Sequence, residues 1–372
     1  MPGSTSHIVM TGSMKFGLTG AGCIGALRSK ALARIRNAEL VGVTDVDQQR
    51  AAGVASPVGA RVFASFADLL ACDEIEAVVV STPPQFHEET VLAALAAGKH
   101  VLCEKPLSNS VEACRRMLKA AQGSGKTLAT GFNHRYFPAI RFLKEAIEAG
   151  LIGKLDHVRA FAGHEGLSQF RAPWEYDKTV TGGGALMDVG IHLIDLTAYI
   201  LGDVREVFGI ASNHVWNLPG SEDNGFALLR SASGTVATLH ATWSEWKGYR
   251  FFVEAYGDKG MVRAYYAPMM NLLIEKPTAE SKPRRKFHFY PMNVLKEKLF
   301  GWQSTVVETF RQEFTDFIAL SRENAPGQIA DGYAGFRAVE IANAVYRSSA
   351  EKCVVRITGP REATQPAVAI GQ

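Results

Sequence analysis

Three clusters in this chain hold side chains able to do chemistry. The first, Glu104-Lys105-Pro106, sets a carboxylate, an ammonium and a helix-blocking proline directly after the apolar run His100-Val101-Leu102-Cys103. If that run is a strand of an open parallel sheet, the three residues stand at its carboxyl end, which borders the ligand crevice in such sheets. The second cluster is Gly182-Gly183-Gly184, followed by Asp188 and His192. The glycines would let the backbone approach something bulky. Asp188 and His192 are four apart, and on a helix they share one face. A neutral imidazole accepts protons near pH 7, and a carboxylate beside it orients it and stabilises its charged form.

The third cluster, Gly20-Ala21-Gly22-Cys23-Ile24-Gly25, follows an apolar run and opens a helical pattern. Its first glycine permits a tight turn, the second lets a pyrophosphate approach the backbone, and the third lets helix and strand pack closely. The anion then meets free amides and the positive end of the helix dipole. Asp45 follows the next apolar run and can accept from an adenosine ribose 2′-hydroxyl while repelling a 2′-phosphate. Val46 comes next and no arginine adjoins Asp45, which favours NAD over NADP, although Arg50 lies within reach. Cys23 reads as a small residue of the loop. Ser81-Thr82-Pro83-Pro84 should form a rigid wall of the same crevice, with His87 either a cofactor contact or a helix-surface residue.

These groups need scaffolding, and the pattern supplies it. Apolar runs at Phe16 to Thr19, Leu40 to Thr44, Ala77 to Val80, His100 to Cys103 and Thr127 to Thr130 alternate with helical segments. Such alternation predicts a doubly wound parallel sheet over 14–133. Over 134–372 the texture changes to alternating strands at Asp156 to His164, Val204 to Ser212, Gly225 to Arg230, Thr235 to Trp243 and Phe251 to Tyr256. Helices are expected at Phe137 to Ala149, Gly184 to Leu201, Glu308 to Arg322 and Asp331 to Arg347. The fold class is therefore α/β: a parallel sheet followed by an α/β domain with a large, mostly antiparallel open sheet. Lys276 to Gln303 shows no period and reads as an insertion or oligomer contact, with Lys282 to Lys286 a solvated basic loop.

With 372 residues, 47% hydrophobic and 21% charged, the chain has the composition of a globular protein with real cores. A net charge of +3 argues against a nucleic-acid partner. No run reaches the roughly 18 uninterrupted apolar residues of a membrane span. The five cysteines are scattered, without a Cys-x-x-Cys pair, and predict free thiols, no metal site and a reducing, cytoplasmic setting. Residues 1–13 read as a disordered lead-in before Met14.

Taken in order, Gly20 to Gly25 with Asp45, Thr82-Pro83, Glu104-Lys105-Pro106, and Gly182 to Gly184 with Asp188 and His192 resemble the Gfo/Idh/MocA family, named for glucose-fructose oxidoreductase and inositol dehydrogenase. Tyr346-Arg347-Ser348 is also family-like, and the resemblance spans about Lys15 to Arg356. It implies an N-terminal Rossmann domain and a C-terminal domain whose open sheet makes homodimer or homotetramer contacts. Lys105 would bind and polarise a substrate hydroxyl or carbonyl, His192 would move the proton, and Asp188 would orient His192 and hold a second hydroxyl. Glu104 would lie against the cofactor, and Pro106 would follow a cis peptide. Asn133 resembles a position near the cofactor and Arg135 one near the substrate. Arg171 and Trp174 precede the glycine run, where an aromatic face could stack on a sugar or simply pack in the core. The implied activity is NAD-dependent hydride transfer to or from a ring hydroxyl of a sugar, cyclitol or polyol. Transient oxidation with glycoside elimination, and a non-catalytic NAD-binding regulator, are the alternatives. Glu175 departs from the arginine the family often carries after the tryptophan, so substrate identity does not transfer.

Overall fold

Two sheets organise the chain in the computed structural model, which describes residues 12–357 except 171, 279 and 326. Residues 1–11 of the expected lead-in lie outside the described residues. The first sheet is built by β1 (Met14–Thr19), α1 (Cys23–Leu32), β2 (Ala38–Thr44), α2 (Gln48–Ala55), β3 (Arg61–Val62), α3 (Phe66–Leu70), β4 (Ala77–Val80), α4 (His87–Ala96), β5 (His100–Glu104), α5 (Val111–Ser124) and β6 (Leu128–Gly131). Ala77-Val78-Val79-Val80 is buried throughout, as a strand covered on both faces must be. Asp47, Ser65 and Ser110 begin α2, α3 and α5 by accepting a backbone amide three residues on.

The second unit begins with α6 (Pro138–Glu148) and β7 (Leu155–Gly163). After α7 (Lys178–Thr181) comes a π turn, Leu186–Gly190, that leads into α8 (Ile191–Leu201). Then follow β8 (Val204–Ser212), β9 (Asn224–Ser231), β10 (Val236–Thr242), β11 (Arg250–Gly257), β12 (Gly260–Tyr266), β13 (Met270–Glu275), β14 (Arg284–Phe289), α9 (Pro291–Phe300), α10 (Gln303–Glu323), β15 (Ala330–Asp331), α11 (Gly332–Glu351) and β16 (Val355–Arg356). Their sheet has nine strands in the order β14-β13-β12-β11-β7-β10-β9-β8-β16, antiparallel except that β7 and β10 run parallel.

The expected loop at Lys282 to Lys286 and the aperiodic stretch to Gln303 are corrected by this order: they contain the edge strand β14 and the helix α9. Every residue of β14 is exposed and none of α9 is buried, so neither element carries the burial period that betrays a strand or helix in sequence. The outer face of the sheet bears a cross-strand row, Ile210, Phe226, His240, Phe161, Phe252, Tyr265, Met270 and Phe289, that no helix covers among the described residues.

The seven-stranded sheet has the order β15-β6-β5-β4-β1-β2-β3, so the strand order reverses between β1 and β4. A crevice for a ligand opens at that switch point. The sheet is completed from far along the chain. β15 pairs with β6, and Val307, Phe310, Phe314 and Phe317 of α10 bury themselves with Phe16, Leu18 and Leu27. Each fully buried phenylalanine is worth roughly 1.5–3 kcal/mol. One stretch of helix, Lys178–Leu201, is long and apolar enough to cross a bilayer, but 78% of its most apolar window is buried inside the fold.

Candidate active site

At the switch point, the glycine loop and the end of β4 touch. Gly20 has φ +88°, and a Cβ there would meet the Ser81 carbonyl carbon and oxygen at 2.5 Å. A Cβ on Gly25 would strike the Gly20 oxygen at 2.0 Å, which is the close helix-strand packing expected of the third glycine. Gly22 differs: a Cβ there meets nothing within 4 Å. The protein itself does not require glycine at that position, and a pyrophosphate resting on the loop would. No side chain caps α1 at Gly22, so its first amides are available to an anion. Ser81 Oγ and Thr82 Oγ1, at the end of β4 beside Gly20, are buried without a hydrogen-bond partner. These orphaned groups and the open Gly22 fit a dinucleotide.

Asp45 accepts from the Ala21 amide at 2.6 Å and the Asp47 amide at 2.8 Å, and so braces the glycine loop. Arg50 reaches back to Asp47 at 3.5 Å, which supplies its guanidinium with a carboxylate and leaves NAD favoured. Cys23 and Ile24 are exposed at the start of α1, on the crevice side of the loop.

Lys105 follows β5, and the Lys105-Pro106 peptide is cis, as the resemblance implied. Its Nζ lies 3.1 Å from the Asp188 carbonyl oxygen and 3.6 Å from Asp188 Oδ1, which joins the two sheets across the crevice. Asp188 does not orient His192, contrary to expectation. Its Oδ2 accepts from His164 Nε2 at 2.9 Å and from Trp243 Nε1 at 3.1 Å. Asp188 lies in the π turn and His192 in α8, and the side chain of Asp188 is taken up by the ends of β7 and β10. Close packing accompanies the turn, since a Cβ on Gly190 would meet Ala241 at 2.7 Å.

His164 and Trp243 come from β7 and β10, each directly after the strand. Those strands are parallel, with Gly163 opposite Thr242, so their carboxyl ends deliver both donors to one carboxylate. The Gly166 amide donates to His164 Nδ1 at 3.0 Å, which leaves the proton on Nε2 facing Asp188. Burial pushes the Asp188 carboxyl up, but the bonds from His164 and Trp243 and the charge of Lys105 more than reverse this, and it stays ionised well below the usual carboxylate range. Phe170 packs edge-on against both His164 and Trp243.

His192, at the start of α8, is 6% exposed, and its Nδ1 is buried without a partner. Burial, then neighbouring His134 and Lys105, hold it well below the usual imidazole range and therefore neutral.

Several expected contacts go elsewhere. Arg135 is buried with Nε and Nη2 on Asp195 at 2.8 and 2.6 Å and Nη1 on the Gln328 and Ile329 carbonyls, so it braces the fold rather than reaching for substrate. Asn133 donates to Thr309 at 2.9 Å and ties β6 to α10. His87 is fully buried rather than on a helix surface. Its Nε2 lies 2.8 Å from the Thr82 carbonyl and its Nδ1 3.0 Å from that of Pro106, linking the two crevice loops. Glu104 gives one oxygen to Arg28 Nε at 2.7 Å and turns the other toward the Lys105 amide. Arg28 is itself buried, bonded also to Glu313, and lies 3.7 Å over the Phe310 ring. Trp174 is 41% exposed rather than core, and Arg171 lies outside the described residues.

The three glycines approach protein rather than ligand: Asn109 backbone, the Tyr346 hydroxyl and Glu222 backbone. Glu222 then accepts from the Gly184 and Leu186 amides at 2.8 Å each and caps the turn. His164, Trp243, Glu222, Arg28 and Glu313 were not foreseen. His164 and Trp243 close two predicted strands, a position that marks a site only once those strands are known to be parallel. No group of three or more metal-ligating side chains occurs among the described residues.

A family model described as "Oxidoreductase family, NAD-binding Rossmann fold" matches residues 14–132, and the "GFO/IDH/MocA C-terminal domain" matches residues 140–263. Inositol 2-dehydrogenase of Rhizobium meliloti strain 1021 is 30% identical over 350 residues, which cover 93% of this chain and 99% of that relative. Inositol 2-dehydrogenase 3 of Saccharopolyspora erythraea is 38% identical over 258 residues, 68% of this chain and 73% of the other. The crystal structure of GenD2 from gentamicin A biosynthesis in complex with NAD has a TM-score of 0.77 at 27% identity, covering 96% of this chain and 99% of that one. Sequence, fold and crevice agree that the chain belongs to the GFO/IDH/MocA family of NAD-binding oxidoreductases.

Proposed function

We propose that the protein is an NAD-dependent dehydrogenase that interconverts a ring hydroxyl and a ketone on a sugar, cyclitol or related polyol. One observation carries this reading: Lys105 from the first sheet meets Asp188, with His192 close by, at the mouth of the crevice that holds the glycine loop. NAD would supply the hydride acceptor, with Gly20 to Gly25 holding its pyrophosphate, Asp45 its ribose, and Ser81 and Thr82 the nicotinamide half. Removing hydride from a carbinol carbon requires its hydroxyl proton to leave as well. Lys105 binds the reacting oxygen and stabilises negative charge on it. Asp188 pairs with Lys105 and offers Oδ1 to a neighbouring hydroxyl. His192, neutral and sealed at Nδ1, takes the proton at Nε2.

The relatives named inositol 2-dehydrogenase make cyclitols the first substrates to try. The test is a screen of cyclitols and sugars with purified protein and NAD, followed by NADH formation. Lys105→Ala and His192→Ala should each lower turnover by about 10²–10⁴-fold while NAD affinity changes little. Full turnover in both variants would remove the assigned roles, and glycoside cleavage without net NADH would point to transient oxidation instead. Self-association through the outer sheet row, as homodimer or homotetramer, and a cytoplasmic setting for the free thiols belong to the same proposal. A monomer in light scattering across a wide concentration range would exclude the first.

A further inference from the structure

No carboxylate contacts the His192 ring among the described residues. It sits in an aromatic column instead. His134 stacks on it with ring centroids 3.7 Å apart and planes 20° from parallel, and Phe132 meets it edge-on at 5.8 Å. His134 is in turn stacked on Phe137 at 4.6 Å and edge-packed by Phe251 at 5.2 Å. The column crosses between the two sheets: His134, Phe132 and Phe137 lie where the chain leaves β6, His192 opens α8, and Phe251 belongs to β11.

We propose that His134 is the positioning residue of His192: the stacked ring, rather than a carboxylate, fixes the plane of the imidazole and keeps water from its buried side. This rests on the reading of His192 as proton acceptor and assigns to His134 the orienting task expected of Asp188.

The choice of partner has chemical consequences. A carboxylate at Nδ1 would fix one tautomer and favour the imidazolium. A second imidazole stacked at van der Waals distance also restrains the ring, but a proton on one repels a proton on the other. Lys105, from the turn after β5, is the charged group acting on both rings, and it repels a proton on either. Asp188, though only four residues away in sequence, is spent on His164, Trp243 and Lys105. The turn before α6 and the strand β11 bring Phe137 and Phe251 to the stack, neither of them charged. Burial and Lys105 push His134 itself down to about 3, so both rings are neutral in the working range. His192 therefore enters each oxidation cycle unprotonated, even in mildly acidic solution.

The test is an NMR titration of the imidazoles in the full-length protein without substrate or NAD, with His192→Ala used to identify the His192 signal. In the wild type, His192 should stay neutral as pH falls well below 6.5, its ordinary value. His134→Ala opens the buried side to water and frees the ring, so the His192 midpoint should rise by about one unit or more. His134→Phe keeps a flat ring in the stack and should restore the low midpoint. A wild-type His192 that titrates at its ordinary value would overturn the inference. So would His134→Ala leaving the midpoint in place, or His134→Phe behaving like His134→Ala. Because the readout needs no turnover, a negative polyol screen would count against the proposed function and leave this result standing.

Discussion

Replacing Gly22 by alanine separates cofactor binding from folding more cleanly than any change at the reacting centre. Gly22 has φ −69° and ψ −167°, ordinary extended backbone, and an added Cβ meets nothing within 4 Å. Stiffening the unfolded chain favours the variant by about 0.4–1 kcal/mol. Alanine is a poorer helix N-cap than glycine, which costs about the same, so folding stability should stay within ~1 kcal/mol of wild type. NAD binding should respond very differently. The methyl group occupies the space through which a pyrophosphate reaches the first amides of α1, and losing two charge-assisted hydrogen bonds at about 1.5–3 kcal/mol each weakens affinity by at least ~10²-fold. The assay is a thermal melt without cofactor, paired with calorimetric titration of NAD. Gly25→Ala is the contrast: its Cβ would lie 2.0 Å from the Gly20 oxygen, backbone that cannot yield, and it should lower the melting temperature even without NAD. If Gly22→Ala bound NAD within about threefold of wild type (less than 1 kcal/mol), or melted as low as Gly25→Ala, the assignment of this loop to the pyrophosphate would fall.

Two further outcomes test the other side of the crevice and the buried imidazoles. Asp188→Asn keeps shape but removes the charge 3.6 Å from Lys105, an attraction of about 4–5 kcal/mol at an effective dielectric of 20 before partial exposure trims it. It should lower kcat/KM by at least ~10²-fold with NAD affinity intact; turnover within about threefold of wild type would show that Lys105 does not depend on Asp188. The second outcome concerns acid stability. His134 is held near 3 in the folded protein against 6.5 ordinarily, so above 6.5 neither state is protonated, while below it the unfolded chain takes up protons that the folded chain refuses. By about pH 5 this costs ~2 kcal/mol. Glu313, pushed up to about 7, works in the opposite sense, so the clean measurement is a difference. The melting temperature of His134→Phe should gain on wild type between about pH 7.5 and 5, by an amount equivalent to ~2 kcal/mol. A difference that does not change with pH would sink the argument.

The parts of the site legible in sequence were those dictated by backbone geometry or strand ends. Gly20, Gly22 and Gly25 are spaced for a turn, an anion and a packing contact, and Lys105 follows an apolar run long enough to be a strand. Spacing failed where local periodicity was assumed. Asp188 and His192 are spaced as one face of a helix, but Asp188 is held by the ends of β7 and β10 and His192 by a stack of aromatic rings. The partners of Asp188 were hidden for a topological reason, because His164 and Trp243 meet only through the parallel pairing of strands 79 residues apart in register. Arg28 is covered by Glu313 and Phe310 of α10, and Glu313 arrives from 285 residues along the chain, beyond the reach of any local pattern. β14 and α9 left little periodic trace because every residue of β14 is exposed and none of α9 is fully buried.

α10 also bears on how the protein is made. β6, the last parallel strand of the cofactor sheet, ends at Gly131, but the phenylalanines that seal its core arrive with Gln303–Glu323. At synthesis rates of about 5–20 residues per second, the nascent sheet waits roughly 10–40 s for them. During that interval Phe16, Leu18 and Leu27 have no cover from α10 and Arg28 no Glu313. The half of the protein that is translated first can therefore be among the last to reach its finished state.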